Sequence, residues 1–174
     1  MLPDYLPLRS RVLFVGINPG MRSAALGHHY AGPGNRFWDL VGSSGLVPEP
    51  LTYADDHRMP EWGYGLTNLV ARATPGVADL TAAELRQGAR ALLGTIARTR
   101  PAIVAPVGVT VWRAILDALD VPGARSVRIR HGFQSRRLGD ARVFVLPNPS
   151  GRNAHLDRTG MLRLFRRLAG AISS

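Results

Sequence analysis

The sequence predicts an α/β protein, a three-layer α/β/α sandwich around a mainly parallel central sheet of about four strands. The main observation is that short apolar, β-branched runs alternate with segments of helical periodicity. In addition, no repeat or linker-like stretch divides the 174 residues, and a 45% hydrophobic content is enough for one core. We therefore expect a single domain over residues 1–174.

The first half of the chain predicts one buried strand and one short helix. The strand covers residues 11–17 and runs directly into an Asn-Pro-Gly turn at residues 18–20. A loop rich in glycine and histidine follows at residues 27–34, and residues 35–41 are typical of a short helix. Residues 48–65 contain three prolines and two glycines, so we expect irregular structure there.

The second half predicts longer helices between strands. Thr81 and Glu84 fit a capping box that begins an amphipathic helix, and Pro101 ends it. The remaining predicted elements are a strand at 102–107, a helix at 109–119, a strand at 126–130, a strand at 141–146 and an amphipathic helix at 159–172.

Basic charge is concentrated in the second half of the chain. All 22 basic residues are arginine, and the formal net charge is +10 at pH 7. Residues 1–85 hold six arginines and eight acidic residues, whereas residues 86–174 hold sixteen arginines and four acidic residues. This asymmetry favours a polyanionic partner, most commonly nucleic acid, over a merely solvated basic face.

The missing residue types exclude several classes of site. The chain has no cysteine, which excludes disulfides, thiol catalysis, cysteine-ligated zinc and cysteine-ligated iron–sulfur clusters. His28 and His29 are adjacent, which is poor geometry for two metal ligands, so we expect no metal ion and no cofactor. No apolar run approaches the roughly 20 residues of a membrane helix. We expect a monomer in the cytoplasm that does not bind membranes.

Two similar turns mark the expected functional edge of the sheet. Residues 16–20, Gly-Ile-Asn-Pro-Gly, follow the first strand, and residues 148–151, Asn-Pro-Ser-Gly, follow the last one. Ligands of open parallel sheets bind beyond the carboxyl ends of the strands. Neither turn is a phosphate loop, because both lack the glycine spacing and the lysine of such loops.

These turns and the segments between them resemble the mismatch-specific uracil-DNA and thymine-DNA glycosylase family. Residues 16–20 resemble its first active-site motif, and residues 148–151 resemble its second. The similarity runs in the family's order from about residue 11 to the C-terminal helix. The matching segments in between are Gly27-His-His-Tyr30 with Gly32-Pro-Gly-Asn35 and Phe37-Trp38, Asp55-Asp-His57, Gly65-Leu-Thr-Asn68-Leu-Val, and Thr74-Pro-Gly76.

The resemblance implies a monofunctional DNA glycosylase. Such an enzyme flips uracil, or a related deaminated or mismatched base, out of double-stranded DNA and hydrolyses its bond to the sugar. Asn18 is then the catalytic residue. Its amide can orient a water molecule but is not a strong base, and other branches place aspartate at this position. The product is an abasic site.

The resemblance also assigns a base pocket. Tyr30 would stack against the flipped base, and the amide of Asn68 would recognise the edge of uracil. Asn148 replaces a histidine of other branches and donates toward the base O2 more weakly. Ser23 lies near the C5 edge of the base. The full predicted pocket consists of Gly16, Ile17, Ser23, Tyr30, Asn68 and Asn148.

The second motif is expected to contact DNA. Arg152 matches the family's wedge position, where a side chain fills the gap that a flipped nucleotide leaves; an ordinary phosphate contact is the alternative. Ser150, Gly151 and Asn153 complete this segment. Because the chain contains no lysine, no side-chain Schiff base can form with the sugar, and we expect water to be the nucleophile.

Two other classes of function remain open from the sequence. A non-catalytic DNA-binding α/β module would keep the arginine-rich half but would not need three asparagines together. A small-molecule nucleoside or nucleotide hydrolase on the same layered architecture would not need the basic half. Each asparagine also has a purely structural interpretation, as a turn or cap residue.

Overall fold

The computed structural model describes residues 1–151, 153 and 155–173. Strands and helices alternate along this part of the chain. In order they are β1 (Val12–Gly16), α1 (Met21–Leu26), α2 (Phe37–Ser43), a 3-10 helix (Tyr53–Trp62), β2 (Tyr64–Asn68), a 3-10 helix (Val77–Asp79), α3 (Ala82–Thr99), β3 (Ile103–Pro106), α4 (Val109–Ala118), β4 (Gly132–Phe133), β5 (Arg142–Val145) and α5 (Arg158–Ser173).

The strands form one twisted sheet in the order β2-β1-β3-β5-β4. All neighbouring strands are parallel except β4 and β5, which are antiparallel. Every residue of β1 is buried, because helices cover both faces of the sheet. Its side chains alternate, so that Val12 and Phe14 enter one core and Leu13 and Val15 enter the other.

Two hydrophobic cores give the three layers. On one face, α2 and α5 contribute Phe37 and Phe165, both fully buried. On the other face, α3 and α4 contribute Leu92 and Trp112. The start of α3 carries the predicted capping box, since Oγ1 of Thr81 accepts from the Glu84 backbone N–H at 3.1 Å. The predicted three-layer α/β/α class is therefore confirmed.

The structure differs locally from the predicted elements. The sheet has five strands rather than about four. Residues 48–52 are irregular as predicted, but a 3-10 helix at Tyr53–Trp62 and the start of β2 replace the irregular structure expected for the rest of 48–65. The strand predicted at 126–130 is wrong, because these residues form a turn, a bend and coil without regular secondary structure. Here the Arg113 guanidinium binds the Val127 carbonyl oxygen at 2.8 Å, so that carbonyl bonds to a side chain instead of a strand.

The topology determines where a site can form. The carboxyl ends of the four parallel strands meet at one edge of the sheet. β2 lies on one side of β1 and β3 lies on the other. This switch in direction opens a cleft at the carboxyl end of β1. Within the residues that the structure describes, no helix combines the length and apolarity needed to cross a bilayer.

Candidate active site

A cavity of about 390 Å³ opens at this edge of the sheet. Its volume lies in the range of small-molecule sites. The predicted site residues on its walls are Gly16, Ile17, Asn18, Ser23, Tyr30, Asn68, Asn148 and Ser150. The structure thus brings together residues that come from four separate parts of the chain.

Asn18 follows β1, and two hydrogen bonds fix the orientation of its amide. Its Nδ2 donates to the carbonyl oxygen of Arg72 at 2.9 Å and to Oγ1 of Thr74 at 2.8 Å. Because a backbone carbonyl only accepts hydrogen bonds, it must face the NH₂ side of the amide. The Oδ1 atom of Asn18 accepts no hydrogen bond from the described residues. This oxygen is therefore available to a water molecule in the cavity.

The loop that holds Asn18 is itself anchored to α3. The hydroxyl of Thr74 donates to the Gly76 carbonyl at 2.8 Å, which leaves its oxygen free to accept from Asn18. The Arg72 guanidinium binds both carboxylate oxygens of Glu84, at 2.7 and 3.0 Å. The hydrogen bond from Arg72 lowers the pKa of Glu84 to about 2. Glu84 is therefore ionised, and this anchor intact, throughout the physiological pH range.

Tyr30 forms an aromatic wall of the cavity. Its ring stacks on Phe37, with the ring centroids 4.0 Å apart and the planes inclined by 21°. Its backbone adopts the left-handed conformation, with φ of 53°, which is uncommon for a residue other than glycine. Burial raises the pKa of Tyr30, so the phenol is neutral. The ring is held rigidly enough to serve as a stacking surface for a planar ligand.

Asn68 ends β2 and lies across the end of β1. In the parallel register it pairs with Gly16. A Cβ atom at residue 16 would overlap Oδ1 of Asn68 and come within 3.1 Å of the Tyr30 hydroxyl. Glycine at this position is thus what allows the amide to approach the sheet. The side chain of Asn68 makes no hydrogen bond to the described residues, so both its donor and its acceptor are available.

Asn148 follows β5 and has the opposite orientation to Asn18. Its Oδ1 accepts from the backbone N–H of Ser150 at 3.0 Å, which is a local Asx turn. This bond occupies the acceptor and leaves Nδ2 free of hydrogen bonds to the described residues. Asn148 is exposed at the mouth of the cavity. Its amide can therefore donate to a ligand.

The second turn packs against the glycine-rich loop before α2. The Arg36 backbone N–H donates to the Pro149 carbonyl at 2.9 Å. A Cβ atom at residue 151 would lie 2.9 Å from the Gly34 carbonyl oxygen, so Gly151 permits close contact between the two loops. Arg152, the predicted wedge, lies outside the described residues.

Asn153 stabilises the second turn. Its Nδ2 donates to the Asn148 carbonyl at 3.0 Å, and its Oδ1 accepts from the His155 backbone N–H at 2.9 Å. Its side chain lines a neighbouring cleft that shares Asn148 and Ser150 with the main cavity. The structure thus places Asn153 beside the main cavity.

Ser23 and His29 form another part of the wall, and both are buried. The Ser23 hydroxyl accepts from the Ala31 backbone N–H at 2.9 Å. The His29 Nε2 lies 2.7 Å from the carbonyl oxygen of Pro3, so this nitrogen carries the proton. Burial lowers the pKa of His29, and the ring is neutral at pH 7. The backbone N–H of His29 donates to the fully buried Asp56.

Comparison with known proteins gives the family. The sequence profile of the uracil DNA glycosylase superfamily matches residues 3–169. The chain belongs to this superfamily. The G/U mismatch-specific uracil DNA glycosylase of Schizosaccharomyces pombe is 36% identical over 156 residues, which make up 88% of this chain and 48% of that protein. The chain thus spans about half the length of the curated relative it matches, and the resemblance seen in the two turns is confirmed.

The sequence does not indicate three residues that line the cavity or orient its side chains. Thr74 lies in a segment that resembles the family, but nothing in its sequence context indicates that it orients Asn18. Arg72 acts through its backbone carbonyl, which no residue pattern reveals. Leu2 lines the cavity although it belongs to neither motif. All three contributions depend on tertiary contacts.

Several arginines of the second half have no acidic partner among the described residues. Most acidic residues of the first half form ion pairs, as Glu84 does with Arg72 and Asp39 with Arg158. In contrast, Arg163, Arg166 and Arg167 on α5 pair with none of the described acidic residues; the same holds for Arg128, Arg130, Arg136 and Arg137. No group of three or more histidine or acidic side chains that could hold a metal ion occurs in the described part of the chain.

Proposed function

We propose that the protein is a monofunctional DNA glycosylase that removes uracil, or a related deaminated or mismatched base, from double-stranded DNA. The observation that carries this proposal is the opposite orientation of two amides on one cavity. Asn18 offers an acceptor, and Asn148 offers a donor. Hydrolysis of an N-glycosidic bond needs both, because a water must be positioned while a leaving base gains negative charge.

The reaction follows from these two groups. A water molecule donates a hydrogen bond to Oδ1 of Asn18 and attacks C1′ of the deoxyribose. The bond from C1′ to N1 of the base breaks, and its electron pair stays on the base. The Nδ2 group of Asn148 donates to O2, where part of that charge collects. The water loses its proton to solvent, since an amide is too weak a base to take it.

The other walls bind the flipped base. Tyr30, backed by Phe37, stacks on the face of the pyrimidine, an interaction worth about 1–3 kcal/mol per base. The free amide of Asn68 can accept from N3–H and donate to O4 at the same time. This pairing distinguishes uracil from cytosine, which has an acceptor at N3 and a donor at C4.

The arginines of the second half provide the contact to DNA. We propose that Arg152 fills the gap left by the flipped nucleotide, and that Ser150, Gly151 and Asn153 support it against the duplex. Preference for uracil opposite guanine is part of this proposal, because a mismatched base is less costly to extrude than a paired one. We also propose that the enzyme acts as a monomer in the cytoplasm.

The test is base release from a labelled duplex that contains one U·G mismatch. We expect free uracil and an intact strand that breaks only after hot alkali. Asn18→Ala should lower single-turnover excision by about 100- to 1000-fold, the scale of losing one positioned polar group, while DNA binding changes little. Release from free deoxyuridine but not from DNA would indicate a nucleoside hydrolase, and binding without release would indicate a non-catalytic module.

A further inference from the structure

Three consecutive residues of the N-terminal segment form hydrogen bonds to elements that border the cavity. The carbonyl of Pro3 accepts from the His29 ring at 2.7 Å, and Oδ1 of Asp4 accepts from the Thr67 hydroxyl at 3.0 Å. Tyr5 exchanges two backbone hydrogen bonds of 2.9 Å with Leu66 of β2. These contacts fix the path of the chain directly after Leu2.

The hydrogen bonds of the three residues after Leu2 position its side chain at the wall of the base cavity. The segment pairs with β2 in the antiparallel direction, so from Tyr5 back to Leu2 it extends toward the carboxyl end of β2, where Asn68 lies. Leu2 is half-buried and lines the cavity together with His29 and Ser23. By contrast, the nearby Leu8 is 76% exposed.

Leu2 and Asn148 lie on opposite sides of the cavity. The N-terminal segment runs along the outer edge of β2, whereas Asn148 follows β5, with β1 and β3 between them in the sheet. In the proposed function, on which this inference rests, Asn148 binds O2 of the pyrimidine. C5 is directly across the ring from C2. A base bound in this way therefore points C5 toward Leu2.

We propose that Leu2 determines the size of the substituent that the base can carry at C5. Its apolar side chain closes the side of the cavity that faces C5. A pocket wall of this kind discriminates by volume, and one methylene group changes selectivity by about 10- to 200-fold. Shortening Leu2 opens room for larger 5-substituted uracils, and lengthening it reduces that room.

The test compares two bases that differ mainly in size. Duplexes carry 5-fluorouracil or 5-bromouracil opposite guanine, and the excision rates give a bromo-to-fluoro ratio for each protein. The ratio in Leu2→Ala should be about tenfold above that of the parent protein, and the ratio in Leu2→Phe should be lower than in the parent. Leu2→Met conserves volume and should keep the parent ratio. Leu8→Ala is the matched control and should also keep it.

The outcomes separate this inference from the proposed function. Binding of the same duplexes with 2′-fluorinated, non-cleavable nucleotides is measured in parallel, and thermal unfolding checks that each variant is folded. A parent protein that excises both bases, with an unchanged ratio in folded Leu2→Ala, refutes the role of Leu2 alone. A parent protein that binds but does not excise refutes the glycosylase, and the binding ratio then decides the role of Leu2. A parent protein that does neither refutes both.

Discussion

The two Asn-Pro turns are alike in sequence, but the structure uses them in opposite ways. In the turn after β1, external partners hold the NH₂ group of Asn18 and leave its oxygen free. In the turn after β5, the local backbone holds the oxygen of Asn148 and leaves its NH₂ group free. The same residue type thus serves as an acceptor at one turn and as a donor at the other. The hydrogen-bond partners determine the chemistry of an asparagine.

Substitution by aspartate should separate the two turns most strongly. Asn148→Asp keeps the oxygen that binds Ser150 but replaces the free donor with negative charge beside the leaving base. We expect about a 100-fold loss of single-turnover excision of uracil, the scale of a hydrogen bond to a charged group. Asn18→Asp loses the donor to the Arg72 carbonyl but keeps an acceptor toward water and adds a stronger base, so we expect a loss of at most about tenfold. Similar losses in both variants would show that the two amides do not have opposite roles.

Removing the external partner of Asn18 should have a smaller effect. Thr74→Val is nearly isosteric and removes the hydroxyl that accepts from the amide, so only the Arg72 carbonyl still orients Asn18. The expected loss is about tenfold in excision rate, with little change in duplex affinity. Thr99→Val removes a similarly buried hydroxyl in α3, remote from the cavity, and serves as the control. A full rate in Thr74→Val would mean that the Arg72 carbonyl alone orients the amide.

The smallest effect is expected at the ion pair that anchors the first turn. The pKa of Glu84 is lowered to about 2 in the folded protein from an ordinary value of 4.5. Its contribution to stability is therefore fully present above pH 4.5 and is lost as the pH falls toward 2. Glu84→Gln should unfold at a lower temperature at pH 7, and this difference should shrink between pH 4.5 and pH 2.

Thermal unfolding of both proteins over this pH range is the measurement. Asp39→Asn, at the exposed ion pair between α2 and α5, is the matched control, because the hydrogen bond from Arg158 also lowers the pKa of Asp39. Only Glu84→Gln should also slow excision, since only that pair holds the loop of Asn18. Equal excision rates in the two variants would mean that the loop does not depend on this anchor.

The sequence predicts those strands and helix ends that depend only on neighbouring residues. The buried strand before Asn18 and the Thr81 capping box are visible as an apolar run and as a residue spacing. The sequence does not indicate the strand Tyr64–Asn68, because this segment contains glycine, threonine and asparagine instead of an apolar β-branched run. The segment expected as a strand at 126–130 has the right alternation, but its Val127 carbonyl accepts from the Arg113 guanidinium instead of from a neighbouring strand.

For the site, the sequence indicates which residues meet but not how they are oriented. The family resemblance places Asn18, Tyr30, Asn68 and Asn148 together, and the cavity contains all four. The direction of each amide depends on partners as distant as Arg72, 54 residues away from Asn18. Spacing in a sequence carries no information on such contacts. The wall formed by Leu2 depends on pairing between the start of the chain and β2 and is hidden for the same reason.

The pairing of Tyr5 with Leu66 also has a consequence for solubility. β2 is an edge strand, and the hydrogen bonds of Tyr5 occupy backbone groups on the side where another strand could add. Open edges with buried, apolar strands promote intermolecular pairing and aggregation. On the far edge, β4 is only two residues long, and the Arg142 guanidinium lies 3.8 Å from the centre of its Phe133 ring. Displacing the first five residues would therefore expose the unpaired backbone groups of β2, to which a strand from another copy of the chain could bind.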